Sequence, residues 1–491
     1  MPYTIQQIQK TLKAAWLQQV NPDASVEQLL LDSRGVSAPR TALFFALPGE
    51  RHDGHRFLTD CYRAGVRNFI ICKKIALETL PEANVLQVPD SLEALQSLAA
   101  WRRAQFKLPV VGITGSNGKT VVKEWLNQLL PKEKIVRSPK SYNSQVGVPL
   151  SVWQIRAEHS LGIFEAGISR MGEIERLARI IQPDIGFITN IGPAHREGFP
   201  SDAVKLQEKM KLFGTAKLLV YCADQAEVAA AAAEWAGAEK SRRLFGWSSQ
   251  GREAALQFLT GKSLADGAVE LQLQKSPAIP EQALFRIPFS DPASIENACH
   301  CIAMLIALGR PVSTFRKRLK RLEPVEMRLE LKAGVNNCTV INDAYSNDLA
   351  SLRIALQFAR QHFLQAGGGK PQLYLQVAET ALEHGVQRLI AIGPEIQALR
   401  ADIPDDFDWT HYPDTNTFLQ NIQRHDFNDD LVLIKGARPF AFERIAQRLE
   451  QKAHKTVLEV DLAALVHNLN VYHRLLKPGT GMMVMVKAAG Y

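Results

Sequence analysis

The stretch VVGITGSNGKTVVKEW, residues 110 to 125, constrains the fold of this chain more than any other. A β-branched run over residues 110 to 114 predicts a buried strand, a glycine-rich loop follows, and apolar residues at helical spacing over 121 to 130 predict a helix. The backbone N–H groups of such a loop can surround phosphates at a helix N-terminus, where the helix dipole also favours negative charge. The stretch therefore predicts an α/β domain that binds a nucleotide.

The side chains of this loop are typical of an ATP site with magnesium. Lys119 would reach the terminal phosphates, and the Thr120 hydroxyl would hold the metal ion. The strict GxxxxGK[ST] pattern fails by one position, because Ile113 stands where the first glycine is expected and Gly112 and Gly115 flank it. A simple glycine-rich turn is the alternative interpretation, and the strand and helix on either side favour the phosphate loop.

Length and composition limit the remaining choices. The 491 residues predict roughly three domains of 100 to 200 residues each. The content of 46% hydrophobic and 22% charged residues, with no apolar run of about 18 residues, predicts a soluble protein without a membrane segment. The first residues lack the pattern of a signal peptide, so a cytoplasmic location is expected. Six scattered cysteines without a CxxC pair predict reduced thiols.

The net charge of +8 indicates an anionic partner. A phosphorylated metabolite fits this charge, whereas the sequence has no basic block with interleaved aromatic residues that would indicate nucleic acid. We therefore expect small phosphorylated ligands and no nucleic acid.

Three further polar residues are candidates for the same site. Glu165 follows the apolar run LGIF, and a carboxylate at the C-terminal end of a strand faces the crevice of an α/β sheet. His195 lies in a turn after the next predicted strand, within FITNIGPAHREGF, and Lys209 lies 14 residues farther on. Each residue alone could be structural, and Lys209 could lie on a solvated helix face. Together with the phosphate loop they predict a magnesium and nucleotide site.

Several segments resemble those of the Mur ligases of peptidoglycan synthesis. GITGSNGKT, SPKSYNSQVGVPLS, EAGIS, GEI, NIGPAH and EKMKLF occur in the order and spacing of that family, over residues 1 to about 450. The family's phosphate loop is shifted by one step, which accounts for Ile113. DSRGVSAPRTALFFALPGERHDGHRF, residues 32 to 57, is similar to the uridine-nucleotide domain of the ligases that join D-alanyl-D-alanine to UDP-MurNAc-tripeptide.

The resemblance implies an α/β fold with the three-domain Mur ligase architecture. Residues 1–104 would form the UDP-MurNAc-binding domain, 105–322 a central P-loop ATPase-like domain, and 323–452 a C-terminal Rossmann-like ligase domain. The implied reaction begins when the substrate carboxylate attacks the γ-phosphate of ATP to form an acyl phosphate. The amine of D-alanyl-D-alanine then displaces phosphate.

The resemblance also implies residue roles, carried over motif by motif. The residues expected to bind ATP are Gly115, Asn117, Gly118, Lys119, Thr120, Asn297, Arg328, Asp343 and Tyr345. The residues expected to bind substrate are Ser33, Arg34, Asn143, Lys435 and Arg438. The expected magnesium ligands are Thr120, Glu165, His195 and Lys209, and those expected to take part in catalysis are Lys119, His195 and Lys209. Lys209 matches the lysine that these enzymes carbamylate.

The third domain follows the basic stretch RKRLKRLE, residues 316 to 323, which we interpret as a solvated helix face. CTVINDAYSNDLASL, RLIAIG and LVLIKGAR predict strands of a parallel sheet. Two features depart from the family. In the run Asp343-Ala344-Tyr345-Ser346, Ala344 replaces a serine and Ser346 an asparagine, and a strand near 366–372 is missing from the pattern. An impaired ligase-like domain that scaffolds a racemase therefore remains an alternative, as does another Mur or folylpolyglutamate-type ligase.

The last segment, residues 453–491, has a different pattern. It predicts a strand, a helix, a Pro-Gly turn and a strand, the first βαβ unit of an α/β barrel. It resembles the start of alanine racemases, in which Lys487 would match the catalytic lysine that holds pyridoxal 5'-phosphate and Tyr491 an aromatic residue near the phosphate. The expectation is a ligase–racemase fusion truncated within the barrel. Racemization, cofactor binding and dimerisation through the racemase portion would then belong to the full-length fusion.

Overall fold

A computed structural model describes most of the chain between residues 3 and 450. The described residues are 3–33, 36, 38–49, 53–139, 141–192, 199–264, 268–274, 282–325, 330–343, 382, 386–394, 396, 407–436 and 440–450. They belong to two units, the first ending at Trp101 and the second beginning at Arg102.

The described α-helices are α1 (Ile5–Leu12), α2 (Leu58–Arg63), α3 (Ser91–Ala104), α4 (Lys119–Leu129), α5 (Gly147–Trp153), α6 (Glu173–Ile181), α7 (Asp202–Met210), α8 (Ala226–Gly237), α9 (Pro292–Ala307), α10 (Val312–Leu319), α11 (Thr415–Asn421) and α12 (Glu443–Leu449). Short 3₁₀ helices span Pro39–Thr41, Gly54–Phe57, Leu77–Thr79, Lys211–Phe213, Val335–Asn337 and Ile422–Arg424.

The described strands are β1 (Tyr3–Thr4), β2 (Ala15–Gln18), β3 (Ser25–Val26), β4 (Gln28–Leu30), β5 (Ala42–Phe45), β6 (Asn68–Ile71), β7 (Asn84–Gln87), β8 (Val110–Thr114), β9 (Ile135–Arg137), β10 (Leu161–Glu165), β11 (Ile185–Ile188), β12 (Leu218–Cys222), β13 (Arg243–Ser248), β14 (Leu256–Ser263), β15 (Val269–Leu273), β16 (Ala283–Ile287), β17 (Glu330–Ala333), β18 (Thr339–Asp343), β19 (Arg388–Ile392), β20 (Asp408–Tyr412) and β21 (Leu431–Lys435).

A five-stranded sheet in the order β2-β7-β6-β5-β4 organises the first unit. β4 to β7 pair in parallel, and β2 joins antiparallel to β7. Every residue of β5 and β6 is buried, as expected for parallel strands covered on both faces. The core includes Phe44 and Phe69, whose rings meet edge to face at 6.2 Å.

The second unit contains a nine-stranded sheet in the order β16-β15-β14-β13-β12-β11-β8-β10-β9. The strands from β9 to β14 in this order pair in parallel, and β15 and β16 extend the sheet antiparallel. β8 lies between β10 and β11, so the chain order reverses around it. Ligands of open α/β sheets bind at the carboxyl ends of the strands near such a reversal.

The predicted strand, loop and helix at 110–130 are present. β8 covers the predicted strand, and α4 begins at Lys119, two residues earlier than its apolar pattern indicates. Gly118 caps the helix in the left-handed conformation, which sets this earlier start. The buried face of α4 includes Trp125, whose ring stacks on Phe289 with centroids 5.0 Å apart. The helix is thereby fixed on the sheet that carries β8.

The predicted strands near 339, 388 and 431 are also present, but the described residues pair as two sheets. β17-β18-β21 form one, with β17 antiparallel to β18, and β19-β20 form a parallel pair. The two sheets bury side chains in one apolar cluster that includes Val340, Ile392, Tyr412, Ile434 and Ile445. The proposed loss of a strand near 366–372 lies outside the described residues.

The basic stretch before this region is solvent-exposed, as predicted. In α10, Arg316, Lys317 and Arg318 face solvent, while Phe315 and Leu319 are buried. In the part of the chain that the structure describes, none of the helices combines the length and the apolar character that a membrane crossing requires.

Candidate active site

The phosphate loop, residues 115 to 118, is held by the end of β11. The Ser116 N–H donates to the Asn190 carbonyl oxygen at 2.7 Å, and the Asn117 N–H donates to Asn190 Oδ1 at 2.9 Å. The Thr189 hydroxyl donates to the Asn117 carbonyl oxygen at 2.6 Å. These contacts hold the loop in one conformation, and they occupy the N–H groups of Ser116 and Asn117.

Two glycines make this loop conformation accessible. Gly115 and Gly118 have φ values of +139° and +82°, a region that other residues rarely adopt. A Cβ at Gly115 would overlap Thr189 Oγ1, and a Cβ at Gly118 would overlap Asn297 Oδ1. The second contact places the predicted nucleotide residue Asn297, on α9, directly against the loop.

Lys119 and Thr120 open α4 immediately after the loop. The Lys119 ammonium group donates to the carbonyl oxygens of Gly115 and Ser116 at 2.7 and 2.9 Å. It is thus held at the N-terminus of α4, where helix dipole and cation both attract anions. The predicted role of Lys119 with ATP phosphates stays a prediction.

The predicted metal ligands Thr120 and Glu165 are in direct contact. Glu165 ends β10 and is fully buried, and the Thr120 hydroxyl donates to Glu165 Oε2 at 3.0 Å. Glu165 Oε1 lies 2.9 Å from the ammonium nitrogen of Lys123, which is also fully buried. Hydroxyl and carboxylate oxygens are the ligand types that magnesium prefers, so this pair fits the expected ion.

Lys209 is buried, in contrast to the alternative of a solvated helix face. Its side chain is 3% exposed, and its amine donates to the Gly115 carbonyl oxygen at 3.2 Å. Burial, with the nearby cations Lys119 and Lys205, holds the pKa of Lys209 well below its ordinary value. A lysine in these surroundings favours the neutral, nucleophilic amine.

A cavity of about 260 Å³ brings several of these residues together. It is lined by Lys119, Asn143, Ser144, Gln145, Val146, Gly167, Ile168, Ser169, Glu173 and Lys209. The Asn143 carbonyl oxygen accepts the Gly167 N–H at 2.8 Å, and a Cβ at Gly167 would lie 2.9 Å from the Asn143 amide carbon. The glycine therefore permits the close approach of Asn143 to this wall.

Other predicted residues lie elsewhere in the described structure. Ser33 follows β4 in the first unit. The backbones of Asp343 and Lys435 are paired in register at the ends of the parallel strands β18 and β21. The predicted residues outside the described part of the chain are Arg34, His195, Arg328, Tyr345, Arg438 and Lys487, with Ser346 and Tyr491.

Three residues of the site were not predicted from the sequence. Thr189 and Asn190 support the loop, and the position of Asn190 just beyond a predicted strand is the signal that could have identified it. Lys123 contacts Glu165, and its spacing of three residues from Thr120 places both on one helix face. The burial of this lysine required knowledge of the packed structure.

The chain matches two models of known protein families. Residues 113–305 match the Mur ligase middle domain, and residues 25–103 match the catalytic domain of the Mur ligase family. Together these matches cover more than half of the chain.

Individual proteins are similar to the chain over most of its length. UDP-N-acetylmuramoyl-tripeptide--D-alanyl-D-alanine ligase of Treponema pallidum is 26% identical over 451 residues, covering 86% of this chain and 93% of the relative. The solved UDP-N-acetylmuramoylalanyl-D-glutamyl-2,6-diaminopimelate--D-alanyl-D-alanyl ligase from Acinetobacter baumannii has a TM-score of 0.71 and 25% identity, covering 91% of this chain and 98% of the other. MurF ligase from Thermotoga maritima, solved in complex with ADP, shares the fold with a TM-score of 0.67 and 20% identity, over 86% and 97%.

Proposed function

We propose that this chain, which belongs to the Mur ligase family, is an ATP-dependent ligase that adds D-alanyl-D-alanine to UDP-MurNAc-tripeptide in peptidoglycan synthesis. One observation carries the proposal for the reaction centre: Lys119, Asn143 and Lys209 line a single cavity beside the phosphate loop. The relatives are named for a UDP-N-acetylmuramoyl-tripeptide and D-alanyl-D-alanine, which supports the choice of these two substrates.

The reaction requires two substitutions in sequence. A carboxylate oxygen of the tripeptide attacks the γ-phosphorus of ATP, the bond to the bridging oxygen breaks, and ADP leaves. The amine of D-alanyl-D-alanine then attacks the acyl phosphate carbon, and phosphate leaves as the amide forms. Both steps need neutralised charge and aligned reactants, which Lys119 and the positive N-terminal end of α4 would supply.

Magnesium would be held by Thr120 and Glu165, with His195 and Lys209 as further proposed ligands. When bound, the ion neutralises charge on the β- and γ-phosphates. The hydrogen bond between the Thr120 hydroxyl and the buried Glu165 carboxylate supports this assignment. The two side chains would form the protein side of the site.

Lys209 has a specific proposed part in this chemistry. Its neutral amine attacks carbon dioxide, an N–C bond forms, and loss of a proton yields a carbamate. This modification converts a potential cation into an anion, which is compatible with a metal ligand. The low pKa of Lys209 and its contact with the phosphate loop support the assignment.

We propose that each domain binds a different ligand. Residues 1–104 bind UDP-MurNAc with Ser33 and Arg34, and 105–322 bind ATP. Residues 323–452 contribute Lys435 and Arg438 to substrate, and Arg328, Asp343 and Tyr345 to the nucleotide. The reaction is expected to take place in the cytoplasm.

Ligation with defined substrates tests this function. The protein is mixed with ATP, magnesium, UDP-MurNAc-tripeptide and D-alanyl-D-alanine, and phosphate release and product mass are measured. We expect product carrying the added dipeptide, formed only when all four components are present. A folded protein that binds ATP but forms no product would favour the impaired, scaffolding alternative. Faster ligation of a single amino acid would favour another ligase of the superfamily.

We further propose that residues 453–491 begin an alanine racemase portion of the same polypeptide. The support is the sequence pattern around Lys487, which lies outside the described residues. In such a racemase, pyridoxal 5'-phosphate would supply the electron sink for racemization, and Lys487 would hold it. Borohydride trapping and peptide mapping of this 491-residue chain should show no preferred labelling of Lys487. Stoichiometric labelling at Lys487 would contradict this expectation.

A further inference from the structure

We propose that Lys123 is a positioning residue that orients the Glu165 carboxylate for magnesium. The inference rests on the proposed ATP-dependent function and adds a residue to it. The ammonium group of Lys123 is fully buried and lies 2.9 Å from Glu165 Oε1. This contact is the basis for assigning Lys123 an action through Glu165.

The contacts of Lys123 define its position. Its side chain is fully buried, and its ammonium nitrogen lies 2.9 Å from Glu165 Oε1. The same nitrogen donates to the Ser138 carbonyl oxygen at 2.6 Å and lies 3.0 Å from Glu124 Oε1. Three oxygen partners at these distances hold the ammonium group in one place.

The two oxygens of Glu165 have different partners. Oε1 faces Lys123, and Oε2 accepts the Thr120 hydroxyl at 3.0 Å. Lys123 therefore fixes the rotation of the carboxylate and directs Oε2 toward Thr120, the other proposed magnesium ligand. A buried carboxylate without this cation would be left with an uncompensated charge.

The position of Lys123 is reinforced by the neighbouring strands. Glu124 is held by Arg137, whose Nε lies 2.9 Å from Glu124 Oε2. The Glu165 N–H donates to the Ser138 hydroxyl at 3.2 Å. Lys123 thus ties α4 to the ends of both β9 and β10, and this network sets the distance between Thr120 and Glu165. Partners of metal ligands commonly orient those ligands and tune the metal in this way.

The test compares the magnesium dependence of ATP binding in wild type and Lys123→Met. Calorimetric ATP titrations are repeated over a range of magnesium concentrations. We expect the magnesium concentration for half-maximal binding to rise about 10- to 100-fold in Lys123→Met, the range for loss of a partner that orients a metal ligand. Lys132→Met, which removes an exposed lysine near the end of the same helix, is the matched control and should behave as wild type.

A double-mutant cycle shows whether Lys123 acts through Glu165. Glu165→Gln alone should also raise the magnesium requirement, and Lys123→Met in that background should add little. Independent, additive effects would contradict action through Glu165. Thermal melting of every variant identifies loss of folding. If Lys123→Met does not fold, Lys123→Gln replaces it, because glutamine keeps a hydrogen-bond donor and removes only the charge.

The outcomes separate the inference from the proposed function. If wild type binds no ATP in the presence of magnesium, the proposed function is wrong. If wild type binds ATP and the folded Lys123 variant has the same magnesium dependence, the inference alone is wrong. A higher magnesium requirement in Lys123→Met, together with non-additive effects of Lys123→Met and Glu165→Gln, supports both the proposed function and the inference.

Discussion

The amine of Lys209 donates a hydrogen bond to the carbonyl oxygen of Gly115 at 3.2 Å. This contact joins α7 to the phosphate loop, and the Lys119 ammonium group uses the same carbonyl oxygen at 2.7 Å. Two lysines from different helices therefore converge on one backbone atom of the loop. The first two predictions concern these lysines.

Replacement of Lys119 by alanine should weaken ATP binding. The ammonium group lies at the N-terminus of α4, and loss of its charged hydrogen bonds to phosphate is expected to reduce affinity about 10- to 100-fold. Calorimetry with ATP and magnesium measures the change. Lys132→Ala removes an exposed lysine of the same domain and should leave affinity unchanged. Equal ATP affinity in wild type and Lys119→Ala would contradict the assigned role.

Replacement of Lys209 by arginine should abolish ligation while leaving the protein folded. Arginine stays protonated and cannot supply the neutral amine that forms a carbamate. Product formation, thermal melting and the intact mass of protein incubated with bicarbonate are the measurements. We expect wild type to show the added mass of a carbamate under native conditions and the variant to lack it. Retention of ligation by Lys209→Arg would show that carbamylation is not required.

Alanine at Gly118 should impair both stability and ATP binding, whereas alanine at Gly172 should affect mainly stability. Both glycines cap helices with nearly the same backbone angle, φ +82° and +80°. A Cβ at Gly118 meets Asn297, but a Cβ at Gly172 meets nothing within 4 Å. The shared strain should cost about 1 to 2 kcal/mol in each variant. Similar ATP affinities in the two variants would argue against contact of Asn297 with the loop as a determinant of the site.

Asp53 should stabilise the first unit in a pH-dependent manner. Hydrogen bonds from Lys73 and His55, at 2.5 and 2.7 Å, hold the pKa of Asp53 well below its usual range. Because the folded-state pKa is depressed, the stabilisation is present above the unfolded pKa of about 3.9 and is lost as the pH falls through the folded value. Asp53→Asn should therefore cost about 1 to 2 kcal/mol at pH 7 and progressively less in acid.

Urea unfolding of wild type and Asp53→Asn at several pH values measures this effect. Asp60→Asn is a suitable control, because the Asp60 side chain is 58% exposed and its ion pair with Arg63 is long, at 3.9 Å. A constant stability difference between wild type and Asp53→Asn from pH 7 into the acid range would contradict the prediction.

The phosphate loop could be predicted from sequence because its main signals are local, whereas its supporting residues Thr189 and Asn190 are distant in sequence. A β-branched strand, glycines at fixed positions and Lys119-Thr120 at the helix start act within about ten residues. The burial of Lys209 could not be predicted in this way. Its helix contains Lys205 and Glu208 close by, a pattern typical of an exposed face, yet all three side chains are buried by tertiary contacts.

The network around Glu165 was predicted only in part for a similar reason. Glu165 follows an apolar run, which is a local signal for the end of a strand. The partner Lys123 is distant in sequence, and only the packing of α4 on β10 brings the two together. Strand β17 has no strong local sequence pattern. Its extended structure depends on the antiparallel pairing with β18, which sequence reasoning did not predict.

Strands β14, β15 and β16 pair antiparallel at one edge of the nine-stranded sheet, and this edge offers a place to attach a label. Three strands separate β14 from β8, so β14 lies about 20 Å from the phosphate loop strand at the usual spacing between neighbouring strands, and the edge strand β16 lies about 30 Å from it. Its outer face carries Leu259 and Leu284, which are 46% and 42% exposed. A fluorophore attached at either position would therefore sit remote from the nucleotide, and the enzyme could be immobilised or tracked through this edge without a probe entering its reaction centre.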